Sequence, residues 1–101
     1  MRIDVAWTWM ERPAEAFADK TVVVIDVLRA TSMVAALLAA GAKEVLPVAQ
    51  VDEARDLAAR LGEKALLAGE RGGHPPPGID LGNSPLVVTS SLVNDRSVVL
   101  T

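Results

Sequence analysis

Two short stretches hold most of the side chains able to do chemistry. The first is D-V-L-R-A-T-S at 26–32. Asp26 ends an apolar run, where a carboxylate is costly unless it is paired, hydrogen-bonded or bound to metal. Arg29 presents a planar fork that suits phosphate or sulfonate. Thr31 and Ser32 fall where a helix begins, and the free N–H groups and dipole of a helix start favour an anion. A plainer reading stands beside this one on even terms: Asp26 pairs with Arg29, and Thr31 caps the helix.

The second stretch is G-E-R-G-G-H-P-P-P-G-I-D-L-G-N-S-P at 69–85, with five of the chain's seven glycines and four of its six prolines. Glu70, Asp80 and the amide oxygen of Asn83 are the hard oxygen donors that Mg²⁺ prefers. Arg71 adds a second cation for a polyanionic ligand, and Ser84 a neutral hydrogen-bonding group. Glycines such as Gly72 let backbone approach a ligand and permit positive φ. Pro75-Pro76-Pro77 stiffens the span as polyproline II. Taken alone, this stretch reads slightly better as a solvated surface loop. His74, a lone histidine beside prolines, reads as surface decoration. Trp7 and Trp9 read as packing or interface residues.

These clusters need elements to hold them. Arg2–Trp7 alternates weakly, as a first strand would, and Arg12–Phe17 suits a short helix with Pro13 where a missing N–H is tolerated. Thr21–Val27, T-V-V-V-I-D-V, is β-branched and apolar up to Asp26, the pattern of a strand buried on both faces. Thr31–Ala40 predicts a nearly all-apolar helix stopped by Gly41. Glu44–Ala49 predicts a strand in which Pro47 removes one ladder donor. Asp52–Leu61 predicts an amphipathic helix with Val51, Ala54, Leu57, Ala58 and Leu61 on one stripe, ended by Gly62. Lys64–Ala68 is a short strand that runs into the second stretch. The final S-V-V-L-T is a strand: either a terminal edge, or the lead into an element beyond this chain. The alternation predicts an α/β fold, a mostly parallel sheet with helices on its faces. Ligands of such sheets bind beyond the carboxyl ends of the strands. Both chemical stretches leave strands there, so they should open on one rim.

Composition removes several alternatives. A chain of 101 residues makes one small domain, or the N-terminal portion of one. No apolar run reaches the ~18 residues of a membrane span, and Asp4 interrupts the place of a signal peptide's apolar stretch. The absence of cysteine excludes thiolate metal sites and fits a cytoplasmic protein. A net charge of −3 with scattered Lys and Arg gives no nucleic-acid footprint. There is no nucleotide P-loop motif. V-V-V-I-D-V-L is similar to the strand of haloacid-dehalogenase-type phosphatases, but Leu28 stands where their second aspartate would be.

Four segments together resemble the 2-phosphosulfolactate phosphatase family: V-V-V-I-D-V-L-R-A-T-S at 22–32, G-A-K-E-V-L-P-V-A at 41–49, L-L-A-G-E-R-G-G at 66–73 and G-I-D-L-G-N-S-P at 78–85. They keep the family's order and spacing. The resemblance implies a Mg²⁺-dependent phosphatase that converts 2-phosphosulfolactate to 3-sulfolactate on the way to coenzyme M. Family members are longer, so the chain corresponds to an N-terminal portion. They also carry an acidic residue soon after G-N-S-P, where this chain has Leu86-Val87-Val88. On this reading Asp26, Arg29 and Arg71 are catalytic. Arg29, Thr31, Ser32, Arg71, Gly72, Asn83 and Ser84 bind the substrate, and Asp26, Glu70 and Asp80 hold Mg²⁺. The partner is a small anionic phosphoester, with neither nucleic acid nor membrane, and a homo-oligomer is compatible. The alternatives are an anion-binding or structural fragment without activity, and a phosphatase for another small phosphorylated hydroxy acid.

Overall fold

The computed structural model describes residues 1–101. Helix α1 spans Ala30–Ala39 and buries Met33 and Leu37, one turn apart, against the sheet. Helix α2 spans Val51–Leu61, with Asp52 and Glu53 in its first turn and Arg60 in its last, each favourable to the helix dipole. Its stripe faces inward as predicted: Ala54 is buried and Val51, Leu57 and Ala58 are half-buried, while Leu61 at the end stays exposed. Strand β1 is Glu44–Pro47, β2 is Leu66–Ala68 and β3 is Ser97–Leu100. A short helix α3, Ser90–Val93, precedes β3. Single 3₁₀ turns lie at Trp9–Glu11, Ala14–Phe17 and Pro85–Val87.

All pairing is parallel, in the order β1-β3-β2. Glu44 lies opposite Ser97 and Leu66 opposite Val98. Every residue of β3 is buried, so the last strand of the chain is central rather than an edge. Pro47 is tolerated because β1 is an edge strand. The neighbouring Val48 N–H points inward to the Leu100 carbonyl at 2.9 Å, which turns the imino nitrogen of Pro47 outward. Met33, Leu37, Leu66, Leu81, Val93 and Val98 lie at the centre of the core. The α/β class is as expected: a parallel three-stranded sheet with helices.

Two expected strands do not form. Arg2–Trp7 is exposed throughout and joins no ladder. Thr21–Val27 is also exposed, and Thr21–Ile25 take part in no backbone–backbone hydrogen bond. The β-propensity of such a run reflects a pleated, covered surface rather than the backbone alone. Here neither sheet edge offers that surface. Asp80 and Leu81 already line the outer side of β2, where both N–H groups donate to the Leu67 carbonyl at 3.0 Å. The outer side of β1 is four residues long and contains Pro47. The expected helix over Arg12–Phe17 shrinks to the single turn at Ala14–Phe17, with Pro13 just before it.

Gly69 is the tightest point of the sheet rim. A Cβ there would lie on the Thr101 carbonyl oxygen and 2.9 Å from the Thr101 methyl, at a φ of +150°. Gly82 has open space around it. Gly69→Ala is therefore expected to lower unfolding free energy by about 2–3 kcal/mol, the range for overfilling a packed site. Gly82→Ala is expected to change it by less than about 1 kcal/mol. Urea denaturation of the two variants checks the contrast.

Candidate functional site

The rim beyond the carboxyl ends of the strands is tied together by one guanidinium. Arg71 donates from Nη1 to the Glu70 carbonyl at 2.6 Å, and from Nη2 to the Ala49 carbonyl and Thr101 Oγ1, both at 2.9 Å. Ala49, Glu70 and Thr101 each follow one of the three strands, so Arg71 spans all three strand ends. An arginine has five N–H donors in a planar fork. Three contacts leave Arg71 with donors still free. Thr101 was not among the expected site residues. Its position at the end of the last strand, on the rim where ligands bind, was the available signal.

The two chemical stretches meet as expected, although only the second of them leaves a strand. Arg29 Nη2 lies 3.0 Å from Glu70 Oε2, joining positions 41 residues apart in sequence. The expected alternative, an Asp26–Arg29 pair, does not form. The Arg29 and Glu70 side chains are 37% and 32% exposed. Pairs exposed to this degree contribute about 0–1 kcal/mol, too little to be the reason the loops adopt this arrangement. Backbone contacts hold the loops instead.

Around Asp26 the hydroxyls are spent on structure. Thr31 Oγ1 accepts the Asp26 N–H at 3.1 Å and donates to the Asp26 carbonyl at 2.7 Å. Ser32 Oγ donates to the Val27 carbonyl at 2.8 Å. These bonds brace the turn into α1, whose N-cap position is Arg29 rather than Thr31 or Ser32. The Asp26 residue is exposed, and its carboxylate has no ion-pair partner.

In the second stretch, Arg71 and His74 exchange backbone hydrogen bonds at 2.8 and 3.3 Å. Gly72 and Gly73 between them have φ of +61° and +88°. A two-residue turn with positive φ at both centres calls for glycine, so Gly72 is accounted for by the turn. Arg55 of α2 donates to the Pro77 carbonyl at 2.7 Å and pins the proline span. Asp80 Oδ2 accepts the Leu67 N–H at 2.8 Å, which fastens the loop to the outer side of β2. Its second oxygen is uncommitted. Asn83 Oδ1 is buried without a hydrogen-bond partner, an oxygen that a cation or an N–H donor would satisfy. Ser84 precedes the Pro85–Val87 turn and makes no side-chain cap to it.

Mg²⁺ calls for several oxygens converging on one point. Asp26, Glu70 and Asp80 do not converge: no three acidic or histidine side chains gather into a group able to hold a metal. The donor chemistry suits the ion, the grouping does not. What the two loops do carry is cationic: Arg29, at the N-cap of α1, and Arg71, the neighbour in sequence of the Glu70 that Arg29 meets. No helix is long and apolar enough to cross a membrane.

Comparison with known proteins finds one family and relatives of one kind. A family described as 2-phosphosulpholactate phosphatase matches residues 8–101. A probable 2-phosphosulfolactate phosphatase of Clostridium novyi is 40% identical over 101 residues, which is the whole of this chain and 43% of the relative. One of Carboxydothermus hydrogenoformans is 52% identical over 86 residues, 85% of this chain and 35% of the relative. One of Caldanaerobacter subterraneus is 45% identical over 84 residues, 82% of this chain and 35% of the relative. The chain thus spans well under half the length of these relatives.

The hydrogen bonds rank the two arginines by structural weight. Arg71→Ala removes three contacts across the strand ends, all exposed, and is expected to cost about 1–2 kcal/mol. Arg29→Ala removes one half-buried pair and is expected to cost under about 1 kcal/mol. Equilibrium unfolding of both variants measures the order, and a larger loss for Arg29→Ala would contradict it.

Proposed function

The chain belongs to the 2-phosphosulpholactate phosphatase family, and from that premise we propose that its rim is one wall of a phosphatase site releasing phosphate from 2-phosphosulfolactate. The observation that carries this reading is the junction of the two loops at Arg29 and Glu70, which joins a guanidinium at a helix start to the loop whose next residue, Arg71, bridges the strand ends. The substrate carries phosphate, sulfonate and carboxylate, so it needs several cationic partners. Arg29 spends one of its five donors on Glu70, and Arg71 spends three. A phosphoryl oxygen reaches Arg29 by taking the place of the Glu70 carboxylate, an exchange of one anion for another. The charge-assisted bonds then offset the charge on the phosphoryl oxygens. A net charge of −3 does not oppose this, because the field that matters is that of the rim.

The Mg²⁺ requirement belongs to the same proposal. It is supported by the oxygen donors on the two loops: the free carboxylate of Asp26, the second oxygens of Glu70 and Asp80, and the orphaned Asn83 Oδ1. When bound, such an ion polarises a phosphoryl oxygen. Because the carboxylates are not gathered, no step is assigned to it. A role in coenzyme M biosynthesis and a cytoplasmic location complete the proposal; both accord with the substrate and with a chain that has no cysteine.

The test uses a polypeptide of the relatives' length: residues 1–101 joined to the part of the Clostridium novyi relative beyond its match. Phosphate release from 2-phosphosulfolactate is expected, with loss of activity in EDTA. Arg29→Ala is expected to lower kcat/KM about 10- to 100-fold, the weight of one charge-assisted contact. Asp80→Asn keeps an oxygen for the Leu67 N–H while removing the charge. It is expected to lower turnover at least ~10-fold at limiting Mg²⁺, with partial recovery as Mg²⁺ is raised. Saturable phosphate binding with no turnover would favour an anion-binding module instead.

A further inference from the structure

Residues 22–28 are apolar but for Asp26 and are among the most exposed of the chain. Val22, Val23, Val24, Ile25, Val27 and Leu28 range from 48% to 91% exposed. Successive side chains of an extended segment point to opposite faces. Val22 and Val24 would line one face, with Asp26 at its end, and Val23, Ile25 and Val27 the other, so both faces are apolar up to Asp26. Such a run belongs to an interior strand covered on each side. Helix α1, which follows it, shows the same deficit: its sequence is apolar all round, yet only Met33 and Leu37 are buried and Leu38 is 51% exposed. A helix apolar on every side is one buried on every side.

The sheet of this chain has no room for the segment. Its central strand is flanked on both sides, Asp80 and Leu81 occupy the outer side of β2, and Pro47 interrupts the outer side of β1. The radius of gyration, 14.7 Å, exceeds the about 13 Å of a compact domain of this length. A second copy is a poor cover. Symmetric pairing along one edge satisfies backbone groups but leaves both apolar faces of the strand open. The relatives, by contrast, carry more than half of their length outside the portion that this chain matches.

We propose that Thr21–Val27 is a docking strand, and that its occupant is chain of the kind the relatives carry outside the matched portion. That chain supplies a neighbouring strand and apolar cover on both faces, over the outer side of α1 as well. Docking would also fix Asp26, near the end of the strand, and Arg29, two residues beyond it, at the rim. Cover of this strand is independent of what the rim binds, so it is read without any assay of activity.

Hydrogen–deuterium exchange resolved to the segment is the experiment, on residues 1–101 alone and on the same residues joined to the remainder of the Clostridium novyi relative. In the isolated chain the amides of Thr21–Val27 are expected to exchange without protection. In the joined polypeptide their protection is expected to rise at least ~100-fold, as for a strand that opens only with the core. Val24→Lys should leave the melting of the isolated chain unchanged and disrupt that of the joined one. Protection already present in the isolated chain, as a monomer folding back or as a dimer seen by sedimentation, overturns the proposal. So does a folded joined polypeptide whose segment still exchanges freely. If the joined polypeptide does not fold, the corresponding segment of the unaltered relative is measured: slow exchange supports the proposal and fast exchange overturns it.

Discussion

Insertion of Ser97–Leu100 between Glu44–Pro47 and Leu66–Ala68 is the constraint on which the rest of the structure depends. The two outer strands have no contact with each other in the ladder; each is held only by β3. The last strand in sequence is therefore the first requirement of the fold. It buries Val98 and Val99 completely and closes the core against Met33 and Leu37. It also delivers Thr101 to the rim, where its hydroxyl and carbonyl meet the loop that leaves β2.

The site inherits its geometry from that insertion. Arg71 can bridge three strand ends only because the strands are parallel and end on one side. The absence of a side chain at Gly69 lets the loop pass against Thr101. On this frame the loop after α2 and β2 comes back to Arg29, 41 residues away. The resulting rim is rich in donors, and its hydroxyls are mostly engaged in bracing backbone. That division suits a surface that binds an anion with guanidinium groups rather than one that attacks it with a serine or threonine.

Much of this was legible in the sequence. Helix α2, stopped by Gly62, follows from its apolar stripe, and the parallel sheet from the alternation of strand and helix patterns. The rule that ligands sit beyond strand ends placed 69–85 on the rim, and 26–32 meets it there without a strand of its own before it. What was not legible was tertiary. Thr21–Val27 has every local mark of a buried strand, but a strand is made by its neighbours, and those are not in this sheet. The types of Thr31, Ser32, Gly72 and Asp80 suit ligands. Their types suit turns and backbone hydrogen bonds equally, and here three-dimensional context assigns their contacts to the fold. Thr101 carries only the signal of its position at a strand end, and its chemistry shows once Arg71 lies beside it.

The central claim is that Arg29 and Arg71 form an anion-binding rim in which a phosphate exchanges with Glu70 on Arg29. The side-chain N–H resonances of the arginines, followed by NMR while inorganic phosphate is added, test it most directly. The account expects saturable shifts at Arg29 and Arg71, unmatched at the exposed Arg60 of α2, and a tighter response at Arg29 in Glu70→Gln, where the competing charge is gone. Shifts that grow linearly and equally at all three arginines would contradict it.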